Sequence, residues 1–153
     1  MMDIYERIRE LGYELPSAPP KGGIYKPVIQ VGNMVYLSGQ GATRNGTPVF
    51  SGRLGEGCTV AEGQEAAVIC TLNGLSALDE YLGDLNKIKR VVKILAFVAS
   101  GSGFHQQPVV ADGASRILMD IFGEDSGVGA RSAIGVSELP GGIPVEIEYI
   151  FEV

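Results

Sequence analysis

The C-terminal stretch from Arg131 to Glu152 limits the possible folds of this chain more than any other segment. Val145, Ile147, Tyr149 and Phe151 alternate with Glu146, Glu148 and Glu152. Successive side chains of a strand point to opposite faces, so this pattern predicts one apolar face and one acidic face. Residues 131–137 predict a second strand, with Ile134 and Val136 on one side and Arg131, Ala133, Gly135 and Ser137 on the other. Pro140-Gly141-Gly142 between them reads as a turn, so the two strands are expected to form a hairpin. A cation whose own-side neighbours are this small should have open space above it, where a small anion could be held. In a plain hairpin turning near Gly141, Glu146 would oppose Val136, roughly 16 Å along the strand from Arg131. Either a subunit interface brings the two charges together, or the strands do not pair as a hairpin. We favour the first.

Upstream, the pattern predicts alternating strands and helices. Asp3 to Leu11 reads as a short amphipathic helix with Ile4, Ile8 and Leu11 on one face and Gly12 ending it. The Pro/Gly-rich residues 16–23 form an extended connector. Lys26 to Val31 and Met34 to Ser38 read as strands around the tight turn Gly32-Asn33. A smaller strand is expected near Thr47 to Phe50. Thr59-Val-Ala-Glu62 is a capping box. After it Ala66, Ile69, Leu72, Leu75, Leu78 and Leu82 recur at helical spacing. Val91 to Val98 is an apolar strand, and a second helix begins near Pro108, turning Val110, Ala114, Ile117, Ile121 and Phe122 inward and ending at Gly123. This order predicts an α+β domain over residues 1–153, a single mixed sheet with two main helices packed on one face. Residues 1–23 supply an N-terminal helix and connector. Apolar residues on both faces of the strands, Val91 to Val98 above all, call for an oligomer to cover the open side.

Composition removes several function classes. The chain has 153 residues, Lys+Arg 12 against Asp+Glu 18 for a net charge of −6, one His and no Trp. An acidic chain whose only basic cluster is Lys87-Ile-Lys89-Arg90 lacks the electrostatic footprint of a nucleic-acid binder. A lone His105 provides neither a two-histidine metal site nor paired imidazoles for RNA cleavage; a structural hydrogen bond suits it better. Gly39-Gln-Gly41 and Gly101-Ser-Gly103 lack the lysine and glycine spacing of a phosphate loop. Cys58 and Cys70 lack metal-ligand spacing and suit a reducing compartment. No membrane span, signal-peptide core, metal or cofactor is implied. The expected location is the cytoplasm.

Two blocks carry a family resemblance. Arg131-Ser132, Leu139-Pro140 and Val145-Glu146-Ile147-Glu148 match one motif; Tyr25 and Val31 through Gln40, including Ser38-Gly39-Gln40, match another. Together they resemble the RidA/YjgF family of reactive-intermediate deaminases, often labelled endoribonuclease L-PSP, from about Tyr25 to the end of the chain. The added N-terminal helix suggests a divergent branch. The resemblance implies a chorismate-mutase-like homotrimer with sites between subunits, whose ligand is a small carboxylate-bearing molecule.

Onto these positions the resemblance carries two catalytic candidates. Arg131 would clamp the substrate carboxylate through its planar fork, and Glu146 would hold or deprotonate the attacking water. Tyr25, Ser38 and Gly39 would line the pocket; the alternative readings are a tyrosine that lids a sheet edge and a serine that caps a strand. Two positions depart from the family. Ala133 stands where deaminases of the family often have cysteine, and Asp112 where related chains tend to have asparagine. Asp112 would repel an anionic substrate unless it serves the helix N-terminus. The reading is hydrolysis of enamines or imines of amino-acid metabolism to 2-keto acids and ammonia. Its alternative is a non-catalytic carboxylate-binding or interaction module of the same fold; ribonuclease activity is disfavoured.

Overall fold

Four side chains at every second position define the middle of the molecule: Val145, Ile147, Tyr149 and Phe151 are each at most 1 % exposed. In the computed structural model, which describes residues 2–153, the main elements are α1 (Ile4–Glu10), β1 (Val28–Val31), β2 (Met34–Gly41), α2 (Val60–Leu82), β3 (Arg90–Ala99), α3 (Gln107–Phe122), β4 (Ala130–Val136) and β5 (Val145–Glu152). Five strands form one mixed sheet in the order β1-β2-β5-β3-β4. Both main helices pack on the same face of it, α2 over β2 and β5, and α3 over β3 and β4. The expected strand near residue 47 is only a two-residue ladder, Thr43–Arg44 with Thr47–Pro48.

The expected C-terminal hairpin does not form. β4 pairs in parallel with β3, and β5 pairs antiparallel with both β2 and β3, so β3 lies between the two strands that the turn connects. The physical reason lies in what each strand buries. β5 presents a continuous apolar face and gains hydrogen-bonded ladders on both edges by taking a central place. β4 is the expendable edge, with Arg131, Ser132 and Gly135 and no buried residue. Because β3 and β4 are joined through α3, their parallel pairing is the ordinary outcome of a βαβ connection.

α2 begins with the expected capping box: Glu62 N donates to Thr59 Oγ1 at 3.2 Å, and Thr59 N donates to Glu62 Oε1 at 3.0 Å. Its buried face is turned from the predicted one. Ala66, Leu75 and Leu78 face the core as expected, but Ile69 and Leu72 are only half-buried, while Ala67, Cys70 and Gly74 are buried. Small side chains let the helix lie close to the sheet, and a Cβ on Gly74 would come within 2.9 Å of Leu37 Cδ2. In α3, Val110, Ala114, Ile117 and Ile121 are buried as predicted, joined by Ala111 and Leu118; Phe122 is half-buried.

Polar side chains fix these layers. Asn73 donates from Nδ2 to the carbonyls of Gly41 at 3.1 Å and Thr43 at 2.8 Å, holding the end of β2 against α2. Thr71 Oγ1 and the buried Tyr149 hydroxyl lie 3.0 Å apart, hydrogen-bonded. The N-terminal helix is fastened across both main helices. The Tyr5 hydroxyl donates to Asp79 Oδ1 at 2.5 Å and accepts from Leu85 N at 2.9 Å, and Arg7 Nε donates to the Asp120 carbonyl at 2.7 Å. The opposite face of the sheet carries the exposed apolar side chains Ile29, Val31, Tyr36 and Ile134.

The two main helices approach through backbone: a Cβ on Gly113 of α3 would sit 2.9 Å from Gln64 Cα and closer still to its carbonyl oxygen. Backbone cannot swing aside as a side chain can. Gly113→Ala should therefore cost about 1–3 kcal/mol. Gly63→Ala should cost less than Gly113→Ala, because it meets the side chains of Leu54 and Val110. Urea denaturation of the two variants checks the order, and equal loss would contradict this account of the helix contact.

Candidate functional site

Glu146 owes its position to the same alternation that builds the core. Its neighbours Val145 and Ile147 turn toward the helices, so Glu146 turns to the other face of β5. On β2, Leu37 pairs with Tyr149 and Gln40 with Ile147, so Ser38 and Gly39 together oppose the single residue Glu148. This is a β-bulge, and it presents the Gly39 backbone to the Glu146 carboxylate. A Cβ at Gly39 would lie 2.5 Å from Glu146 Oε2, so a side chain there would push the carboxylate away.

Around Glu146 lies a cleft of about 340 Å³, walled by Gly39, by Pro140 of the turn, and by Pro20, Lys21 and Tyr25 of the connector region. The Tyr25 hydroxyl accepts a hydrogen bond from Gly22 N at 2.8 Å, closing the connector into a loop at the cleft. Thus Tyr25, Gly39 and Glu146 meet, as the sequence suggested. Ser38 follows its structural reading: its hydroxyl donates to the Lys26 carbonyl at 2.7 Å and ties β2 to the residues before β1. The connector wall was not foreseen. Its prolines gave the signal of a rigid extended segment but not of what it would face.

Among the described residues no group donates a hydrogen bond to the Glu146 carboxylate. Burial pushes its pKa above the ordinary carboxylate value, and the nearby charge of Glu148 pushes in the same direction. The proton is therefore held to a higher pH than on a free glutamate, which suits a group that must both take and return one.

Arg131 lies elsewhere. It pairs with Ile94, whose side chain is buried under the helices and which in turn pairs with Tyr149; Glu146 pairs with Phe97 on the opposite face. Within one chain the two charges are thus on different strands and different faces, and they do not form one site. Nor is Arg131 unpartnered. Its Nη1 donates to Asp112 Oδ1 at 2.6 Å and to Ser115 Oγ at 3.2 Å. Ala133 packs at the margin of the core, and Gln107 Nε2 and Ser100 lie where a Cβ of Gly135 would be. The expectation of an empty cradle failed because α3 covers that side of β4.

Asp112 is the sixth residue of α3, beyond the first turn where the helix dipole acts, so its partner is Arg131 and not the helix terminus. Ser115, one turn further on the same helix face, was missed; the i, i+3 spacing from Asp112 was the available signal. His105 is exposed in the loop before α3 and makes no side-chain hydrogen bond among the described residues, contrary to its expected structural role. Cys58 and Cys70 are free and buried. Among the described residues there is no group of three metal-ligating side chains, and no helix is long and apolar enough to cross a membrane.

The raised Glu146 pKa has a stability consequence. Folding favours the protonated acid, so this group's contribution is fully present below its unfolded pKa and is lost as pH rises through the folded value. Glu146→Gln should therefore raise the melting temperature at pH 7, with the gain disappearing below about pH 4, where both states carry the proton. Calorimetric scans of wild type and variant across that range check this; a variant less stable than wild type at pH 7 would contradict it.

Comparison with known proteins gives the same architecture a lineage. A family model described as "YjgF/chorismate mutase-like, putative endoribonuclease" matches residues 6–139, which includes Arg131 and stops short of Glu146. Protein TCP17 of Trypanosoma cruzi is 39 % identical over 145 residues, covering 95 % of this chain and 91 % of that protein. A 2-iminobutanoate/2-iminopropanoate deaminase of Dermatophagoides farinae is 35 % identical over 135 residues, 88 % of this chain and 90 % of that protein. Among solved structures, Atu1372 of Agrobacterium tumefaciens, a protein of unknown function, has a TM-score of 0.91 at 40 % identity, covering 98 % of this chain and 92 % of that one. With a family model spanning most of its length and relatives matching almost end to end, this chain belongs to the RidA/YjgF family.

Proposed function

We propose that the protein hydrolyses reactive 2-imino acids, and the enamines that tautomerise to them, to 2-keto acids and ammonia. The observation that carries this reading is the half-buried Glu146 carboxylate, held over the Gly39 backbone in a cleft with its pKa raised. A carboxylate so placed can accept a proton from water as the oxygen attacks the imine carbon. The resulting carbinolamine then takes that proton back on nitrogen, its hydroxyl gives its own proton to the regenerated carboxylate as the C–N bond breaks, and ammonia leaves as the carbonyl forms. The likeness to a deaminase of Dermatophagoides farinae supports the same chemistry.

In this reading Arg131 of a second copy reaches the cleft and holds the substrate carboxylate. The copies assemble as a homotrimer through the open face of the sheet. Exposed Ile29, Tyr36 and Ile134 favour such burial, and the opposed placement of Arg131 and Glu146 within one chain is consistent with a site shared between copies. The acidic balance of the chain and the acid in the cleft disfavour RNA as substrate. If the cradle has lost its chemistry, the same site remains a carboxylate-binding module.

A coupled assay that generates 2-iminopropionate beside the purified protein tests the proposal. Accelerated decay is expected. Arg131→Lys and Arg131→Ala should each lose most of it, because truncating a paired charge at a binding site costs on the order of 2–5 kcal/mol and an ammonium lacks the fork. Glu146→Gln should keep binding better than turnover. Wild-type protein that leaves the imine's lifetime unchanged would favour the binding module. Sedimentation equilibrium should give three times the chain mass; a stable monomer at micromolar concentration would remove the shared site.

A further inference from the structure

Arg131 is not a bare cation. Both Nη1 hydrogens are engaged within the chain, one by Asp112 Oδ1 at 2.6 Å and one by Ser115 Oγ at 3.2 Å. Among the described residues nothing accepts from Nε or Nη2. Asp112 and Ser115 therefore engage one side of the guanidinium and leave its Nε–Nη2 edge without an acceptor among the described residues, so a ligand can take that edge while the ion pair stays intact. A carboxylate gripping that edge does not displace Asp112, but it feels its charge. The Asp112 side chain is 47 % exposed, so it shares the solvent space beside the fork.

The local charges then decide what the fork accepts. Arg131 and Asp112 sum to zero, and in the cleft Glu146 is offset by Lys21, so the assembled site carries no net positive charge to draw an anion. A monoanion seated on the fork is repelled by Asp112 beside it, whereas a zwitterion can give its carboxylate to Arg131 and its cationic nitrogen to the neighbouring acids. We propose that Asp112 tunes the Arg131 fork to zwitterionic ligands, namely 2-amino acids and protonated 2-imino acids, over anionic 2-keto acids. This rests on the shared Arg131–Glu146 site proposed above. It also gives the reaction a direction at the level of binding. Hydrolysis replaces the cationic iminium nitrogen by a neutral carbonyl oxygen, so the product keeps the repulsion of Asp112, loses the attraction of the acids for its nitrogen, and is released. Asp112 touches the arginine and not the reacting atoms, so it acts as a positioning and selectivity residue.

Calorimetric titration with L-alanine and pyruvate tests this, since the two share a carbon skeleton and carry net charges near 0 and −1 at pH 7. The wild type should prefer alanine. Asp112→Asn keeps an acceptor for Nη1 and removes only the charge. It should tighten pyruvate roughly tenfold, as expected for relief of a like charge a few ångströms away, and leave alanine nearly unchanged. In the wild type, raising salt from low to half-molar should narrow the preference, because screening weakens the repulsion of the monoanion. A wild type that prefers pyruvate overturns the proposal, as does an Asp112→Asn that shifts neither ligand or shifts both alike. Arg131→Ala separates the two levels. If it binds both ligands as wild type does, the shared site itself is wrong; if it loses both while Asp112→Asn is silent, only the selectivity role fails.

Discussion

The double ladder on β5 is the constraint from which the rest of the structure follows. A strand whose alternate side chains are all buried is most stable in the middle of a sheet, with both edges hydrogen-bonded, and β5 takes that place between β2 and β3. Once it is there, β4 has only the far edge of β3 left to occupy. Glu146 is carried to the face away from the helices, beside the bulge at Ser38 and Gly39. Arg131, held by β4, goes to the helix side of the opposite edge. The separation of the two charges is thus a consequence of core packing.

Around that frame, polar contacts fix what packing alone would leave loose. Asn73 reaches from α2 to the carbonyls of Gly41 and Thr43, and Gly41 is the ladder partner of Glu146. The position of the cleft acid is therefore set from the core side of the sheet. The N-terminal helix is bound to α2, α3 and the turn between α2 and β3, and Ser76 donates to the Pro16 carbonyl at the start of the connector. These contacts fix the start of the connector, and the hydrogen bond from Gly22 N to the Tyr25 hydroxyl fixes its far end. They make a wall of the cleft from residues 19–22.

The electrostatics divide between the two faces. On one, Glu146 sits without a hydrogen-bond donor among the described residues and keeps its proton to higher pH because burial and Glu148 disfavour its charge. On the other, Arg131 is already paired with the charge of Asp112. Each half of the proposed site is incomplete alone. The apolar side chains on the open face would release water if another surface covered them.

What the sequence by itself determined is everything that depends on local periodicity and short-range chemistry. The capping box at Thr59, the turn at Gly32, the two main helices within a residue or two, and the apolar face of β5 could all be read from residue spacing. So could the meeting of Tyr25, Gly39 and Glu146, though only through the family motif, because residues over a hundred positions apart leave no local signal. Tertiary structure alone decided that β3 separates β4 from β5, that α3 fills the side of β4 beside Arg131, and that Asp112 is its partner. The reason is physical. Alternation says which side chains share a face of a strand, but not which strand lies beside it. That choice is made by competition among all the apolar faces for the centre of the sheet, and β5, with Val145, Ile147, Tyr149 and Phe151 all buried, takes the middle place.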